Sequence, residues 1–203
     1  KSLLEIVGKP NIEYQLEYFY EAGIKKIIIV VGKNGKYLKE YIKLKNKLNL
    51  NIKFIKDTKP KGIGSSLLKI KNHVHGPMVV FLGDIFLYKL DLKKMISIYR
   101  KNNCSTVVAS IIEKDVRKLK KNFSIHVEKG SVIKKVIEKP QKPTTNLKGI
   151  GVYIFSTDVF GAISDLSKNF KFNKSKKELG ITEVIQRLIE LNKKVLNSLG
   201  VEY

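Results

Sequence analysis

The sequence predicts an α/β fold: a doubly wound, mostly parallel mixed sheet with a smaller antiparallel portion. Three observations carry this. Apolar runs of strand length alternate with amphipathic helical stretches up to residue 104, strands follow one another with few helices after residue 105, and a Gly-Asp pair directly follows one apolar run. Alternating strands and helices build parallel crossover units, whereas strands joined by short turns build antiparallel hairpins.

Pro10 suits the start of a first helix, Ile12, Leu16 and Phe19 recur on one face, and Gly23 closes it. The apolar run of residues 26–31 reads as a buried strand, followed by the turn Gly32-Lys33-Asn34-Gly35. A lysine-rich helix is expected over 37–48, a strand over 51–56, and a helix over 62–71. A strand ends at Asp84, and Asp91 caps a helix reaching about residue 101. Beyond it, 106–112, 124–128, 132–138 and 151–155 read as strands, with a turn at Lys129-Gly130. Asp158 opens a short helix, Thr182 caps a longer one through Leu191 with Glu183 in its first turn, and 195–199 closes as a strand. The expected organisation is one domain over 1–203, with halves at 1–104 and 105–203.

Composition narrows the function. No run of about 18 apolar residues is present, so no membrane-spanning segment is expected. The single cysteine, Cys104, points to a reducing compartment, and the expectation is a cytoplasmic protein with no membrane partner. A net charge of +22 raises the question of nucleic acid, yet only Arg100, Arg117 and Arg187 are arginine. Guanidinium is the preferred group for bidentate base and phosphate contacts, and the lysines are spread along the whole chain, so nucleic acid is not the expected partner. The positive surplus does favour anionic phosphate substrates. His73 and His75 lack acidic or thiol neighbours at ligand spacing, so a zinc site there is not expected.

Four segments bear chemistry. In Val79-Val80-Phe81-Leu82-Gly83-Asp84 a carboxylate stands at the C-terminal end of a buried strand, where open α/β sheets bind ligands. Such an Asp suits a hard cation carrying phosphates, and equally suits a turn or helix cap. The Gly62-Ile63-Gly64 stretch before a helix can bring backbone N–H groups to an anion or form a tight turn. Glu138-Lys139-Pro140 ends a strand, with proline holding the preceding residue extended. Its carboxylate can accept sugar hydroxyls and its ammonium can meet a phosphate; a solvated ion pair is the other reading. Lys1, ahead of Leu3-Leu4 and the Pro10 helix, can reach a polyphosphate or be a charged terminus.

In this order and spacing, the four segments resemble the sugar-1-phosphate nucleotidylyltransferase family nearly end to end. Lys1-Ser2-Leu3-Leu4-Glu5-Ile6 and Gly8-Lys9-Pro10-Asn11-Ile12-Glu13-Tyr14 are similar to the family's K-x-L-L-P-I and G-K-P-x-I-E-Y. Residues 21–32 are similar to its E-A-G-I-x-x-I-x-I-V-x-G, Pro60-Lys61-Gly62-Ile63-Gly64 to P-x-G-T-A, Gly83-Asp84 to G-D, and Glu138-Lys139-Pro140 to E-K-P. Gly149-Ile150-Gly151-Val152-Tyr153 echoes N-x-G-I-Y. The resemblance implies a Rossmann-like nucleotidyltransferase fold whose antiparallel portion binds sugar. It implies that a sugar 1-phosphate, glucose 1-phosphate favoured, attacks a nucleoside triphosphate, UTP or dTTP favoured, and releases pyrophosphate with Mg²⁺ assistance.

Carried over position by position, the resemblance implies a catalytic set of Lys1, Asp84 and Lys139, with Asp84 as the metal ligand. Asp57, Gly62 and Gly83 would contact the nucleotide, and Glu138, Lys139, Gly151 and Tyr153 the sugar phosphate. Departures exist: Asp57 stands where many members use a glutamine to read the base, and Phe123-Ser124-Ile125 replaces Y-G-V near the sugar. The run 61–68 is also similar to cytidylyltransferases acting on inositol phosphate or phosphocholine, and a non-catalytic regulatory subunit of the same fold is a further alternative. Neither the family's G-G-x-G-T-R-L loop nor its W-x-D-x-G segment is found, so a longer parent protein is expected. A homo-oligomer is compatible with the sequence.

Overall fold

The computed structural model describes residues 1–170 and 178–199. Val201-Glu202-Tyr203, at the end of the expected second half, lies outside the described residues. The chain opens with β1 (Glu5–Ile6) and β2 (Lys9–Pro10), an antiparallel hairpin closed by Val7 and Gly8. Both carry positive φ, 50° and 74°, as a two-residue hairpin turn demands. Helix α1 (Asn11–Glu21) follows, with Pro10 just outside it and Gly23 at φ 75° ending it. Then come β3 (Lys26–Val31), α2 (Gly35–Lys45) and β4 (Asn51–Lys56), where β3 and β4 pair in parallel, Lys26 opposite Asn51 through Val31 opposite Lys56. Helix α3 (Ile63–Ile70) leads to β5 (Met78–Phe81), and α4 (Leu92–Asn102) is capped by Asp91, whose carboxylate accepts from the Lys94 N–H.

The second half contributes β6 (Thr106–Ile112), a short α5 (Val116–Leu119), β7 (Phe123–Val127), β8 (Ile133–Glu138), β9 (Leu147–Phe155), α6 (Asp158–Phe170), α7 (Ile181–Glu190) and β10 (Val195–Leu199). These strands and β5 form one mixed sheet. β10 is parallel to β6, β6 is antiparallel to β9, and β7 is antiparallel to both β8 and β9. The α/β architecture with a mixed sheet agrees with the expectation, and the parallel pairs are β3–β4 and β6–β10.

Strand β9 organises the site. One edge pairs with β6 along nearly its whole length. The other edge is divided: β5 takes residues 152–155 and β7 meets it at Lys148. Between those partners, Gly149, Ile150 and Gly151 have no strand alongside on that edge, and the sheet opens there into a cleft. The sequence reading begins this strand at Gly151; it begins at Leu147, because two glycines depress strand propensity over residues that are nevertheless buried.

Both faces of the sheet are covered, which explains why its strands read as continuous apolar runs. Val108, Tyr153 and Phe155 face a core with α3, α6 and α7, including Leu67, Ile163 and Ile185. Their neighbours Val107, Ala109, Val152 and Ile154 face a second core with Met95 of α4. In α7, Ile181, Val184, Ile185 and Leu188 recur at helical spacing and all are buried. A third core joins β3 and α2 to α1 through Ile27, Ile42, Ile12 and Leu16. Thr182 differs from its expected role: Gly180 is the capping position, Glu183 accepts from the Gly180 N–H at 2.7 Å, and Thr182 lies inside the helix. Its hydroxyl is employed elsewhere.

Candidate active site

The loop after β5 is built from backbone groups that need partners. Carbonyls buried beneath it must be satisfied, and two buried amides of α1 do this. Gln15 Nε2 donates to the carbonyls of Leu82 (3.1 Å) and Ile85 (2.8 Å), and Asn11 Nδ2 donates to Ile85 (3.0 Å). The Tyr18 hydroxyl donates to the Leu87 carbonyl at 3.1 Å. The Leu82 N–H donates to the Gly151 carbonyl at 3.0 Å, tying this loop to the open stretch of β9. Gly151 has φ 77°, which favours glycine, and a Cβ there would stand 1.9 Å from Ile85 Cδ1, so a larger residue would be strained and would displace that side chain.

On this fixed backbone Asp84 projects outward, its side chain 50 % exposed. Lys1 Nζ lies 3.3 Å from Asp84 Oδ2, and Ser2 Oγ donates to the Gly83 carbonyl at 2.8 Å. Lys1 and the Gly83-Asp84 pair, predicted from two separate segments, are thus neighbours in space. Gly83 is exposed, and a Cβ there would fall 3.1 Å from Ser2 Oγ.

A cleft of about 960 Å³ runs from this loop to the end of β8. Leu82, Ile85, Gly151, Glu138, Thr182 and Gln186 are among the residues that line it. Tyr153 is fully buried against it, its ring stacked on Phe155 with centroids 5.5 Å apart. The Tyr153 hydroxyl has no protein hydrogen-bond partner, and burial, reinforced by the Glu138 charge, pushes its pKa well up, so it stays a neutral donor. Thr182 Oγ1 donates to Glu138 Oε2 at 2.6 Å.

The cleft also holds residues the sequence reading did not single out. Lys148 is largely buried and pairs with Glu113 Oε2 at 2.5 Å; this bond holds the Glu113 carboxyl below the usual carboxylate range despite burial. Asn122 and the exposed Lys121 stand at its mouth. Their only sequence signal is proximity to the β7 strand that faces Glu138.

Other predicted residues lie apart from the lining. The Asp57 carboxylate is buried at the foot of α3, accepting from Ser66 Oγ at 2.8 Å with Lys69 Nζ at 3.4 Å. Like Lys1, Gly83 and Asp84, it is not among the residues that line the cleft. Gly62, φ 92°, serves close packing: a Cβ would fall 2.3 Å from the Leu179 carbonyl oxygen. The Leu179 N–H donates to Lys61 (2.8 Å) and its carbonyl accepts from the Gly64 N–H (3.1 Å), so one of the expected anion-binding N–H groups is already engaged. Ile63 beside it does line the cleft. Lys139 is exposed, holds φ 44°, and donates its N–H to the Asn122 carbonyl at 2.7 Å; it stands next to the lining residue Glu138 without lining the cleft itself.

Among the described residues, no three or more His, Cys, Asp or Glu side chains gather as a metal site. A single hard carboxylate at a strand end nonetheless fits Mg²⁺, which keeps waters and is commonly held by one or two carboxylates plus substrate phosphates. Asp84 fits that requirement, being half exposed and on a fixed backbone. Among the described residues no helix is long and apolar enough to cross a membrane.

Residues 1–202 match the family described as nucleotidyl transferase, and the chain belongs to that family. Members of this family generally use a divalent metal. The chain is similar to the low-salt glycan biosynthesis nucleotidyltransferase Agl11 of Haloferax volcanii, 29 % identical over 192 residues, covering 94 % of this chain and 51 % of that protein. It is also similar to the UTP–glucose-1-phosphate uridylyltransferase of Bacillus subtilis, 27 % identical over 221 residues, covering 95 % of this chain and 74 % of that one. The chain therefore spans about half the length of the first relative and about three quarters of the second. Among solved structures, a UDP-glucose pyrophosphorylase complexed with UDP-glucose superposes with a TM-score of 0.84 at 28 % identity, covering 100 % of this chain and 84 % of that one.

Proposed function

We propose that this chain binds a nucleoside triphosphate and a sugar 1-phosphate in the one cleft and joins them as a nucleoside diphosphate sugar. UTP or dTTP and glucose 1-phosphate are the favoured substrates, and residues 1–104 and 105–203 serve as nucleotide and sugar-phosphate halves of one domain. A phosphate oxygen of the sugar phosphate attacks the α-phosphorus; the bond from that phosphorus to the bridging oxygen breaks, and pyrophosphate leaves with the electron pair. The attacking oxygen is already ionised, so the protein needs no general base; its work is positioning and charge neutralisation. Asp84 would hold a divalent ion, Mg²⁺ in this reading, which supplies charge neutralisation on the phosphates. Lys1 meets the triphosphate, Glu138 accepts sugar hydroxyls, and Lys139, next to it, meets the sugar phosphate. Gly151 keeps its stretch of β9 free of side chain where the sugar lies, beside Tyr153.

One observation carries the reading. Leu82 and Ile85, on either side of Gly83-Asp84, line the same cleft as Glu138, and the bond from the Leu82 N–H to the Gly151 carbonyl ties the loop that carries the Lys1–Asp84 pair to it. The test is pyrophosphate release from UTP, dTTP, CTP and ATP, each offered with glucose 1-phosphate, inositol phosphate and phosphocholine. The reading expects Mg²⁺-dependent release with UTP or dTTP and glucose 1-phosphate. Release only with CTP and an alcohol phosphate, or none in any combination, would contradict it.

A further inference from the structure

Glu138 ends β8 as an exposed carboxylate, and a glutamate at a strand end samples several rotamers in water. Selecting one sugar-hydroxyl geometry requires one rotamer. The structure supplies a device for this. Thr182, 5 % exposed and second in α7, donates from Oγ1 to Glu138 Oε2 at 2.6 Å, across 44 residues of sequence. That distance is in the range of a hydroxyl bound to an ionised carboxylate. A helical Thr commonly turns its hydroxyl back to a carbonyl of its own helix; this one reaches to another element.

Thr182 is itself held. Its side chain is β-branched and stiff at χ1. The turn before it is pinned by three bonds: the Leu179 N–H to Lys61, the Gly64 N–H to Leu179, and the Gly180 N–H to Glu183 Oε2. The N-terminal end of α7, ten residues long, also favours a carboxylate nearby.

We infer that Thr182 is the positioning residue for Glu138: it occupies Oε2 and leaves Oε1 to accept hydroxyls of the sugar. This rests on the reading of Glu138 as a sugar contact. Thr182→Val keeps shape and removes the donor; Thr182→Ser keeps the donor. In steady-state pyrophosphate release with UTP and glucose 1-phosphate, Thr182→Val raises KM for glucose 1-phosphate about tenfold, the worth of one hydrogen bond to a charged group. It leaves kcat and KM for UTP within about twofold, and Thr182→Ser restores KM. In a Glu138→Ala background, Thr182→Val adds nothing.

If Glu138→Ala raises KM for the sugar phosphate while Thr182→Val does not, the positioning role is overturned and the sugar-contact reading survives. If Glu138→Ala leaves that KM unchanged, the sugar-contact reading fails and takes the positioning role with it. Equal losses toward UTP and glucose 1-phosphate, with a lowered Tm and no rescue by serine, would show Thr182 to be structural only.

Discussion

Two carboxylates, Asp84 on the loop beside the cleft and Glu138 in its lining, are held in opposite ways. Beneath Asp84 the backbone is fixed by Gln15, Asn11 and Gly151, while the side chain reaches into solvent toward a still more solvated lysine, 82 % exposed. At Glu138 the side chain is held, by a buried threonine hydroxyl 2.6 Å away. An exposed ion pair contributes about 0–1 kcal/mol, so Lys1 can be exchanged for another cation at small cost. A hydroxyl partner leaves the carboxylate charge intact and narrows its orientation. In the proposed function the first carboxylate would exchange cations and the second would recognise hydroxyls.

That contrast can be broken most sharply at Asp84. Asp84→Asn removes the charge and leaves the hydrogen-bonded loop untouched. The expected outcome is loss of metal-dependent pyrophosphate release by about a hundredfold or more. Because the ion pair is exposed, Tm should hold to within about 2 °C. Near-normal turnover in this variant would remove the charge from the chemistry; a collapsed Tm would make the residue structural.

Gly151→Ala attacks the tie between the two ends. The positive φ and the clash with Ile85 together cost about 2–4 kcal/mol. Urea denaturation should show a lower midpoint at constant m-value. An unchanged midpoint would mean that β9 and the Asp84 loop are not locked together.

Glu113→Gln leaves the Lys148 ammonium in the cleft wall without its charged partner. Both groups are more than four-fifths buried, so the loss should be about 1–3 kcal/mol at neutral pH. The sign follows from the carboxyl pKa being lower in the folded chain than its ordinary 4.5. Its stabilisation is fully present above 4.5 and is lost as pH falls through the lower folded value. The gap between wild type and variant in denaturation midpoint should therefore close in acid; a gap constant down to pH 2 would contradict the pairing.

The smallest expected effect is at Lys139. Its left-handed φ of 44° suits glycine, so Lys139→Gly should change stability by no more than about 1 kcal/mol, toward greater stability. The same change should raise KM for the sugar phosphate several-fold through loss of the ammonium. An unaltered KM would take Lys139 out of the site.

What the sequence disclosed, and what it hid, follows from how far each signal reaches along the chain. Val79 to Asp84 was legible because a buried strand, a turn and a carboxylate are local features. The meeting of Lys1 with Asp84 spans 83 residues and was available only through resemblance. Thr182 looked like a helix cap because a threonine before an apolar helical face usually is one; its partner 44 residues earlier leaves no local mark. Asp57 illustrates the converse. An acidic residue after a strand has the same local pattern whether it faces a ligand or, as here, Ser66 and Lys69. The division of β9 between β5 and β7, which opens the cleft, depends on strand order, and no run of residues spells that out.

The central claim is that one cleft serves both substrates, and amide shift mapping of the ¹⁵N-labelled chain tests it most directly. Glucose 1-phosphate should perturb Glu138, Gly151 and Thr182, and UTP with Mg²⁺ should perturb Gly83, Asp84 and Ile85. Perturbations confined to a remote element such as α2, with these amides unmoved, would contradict the account.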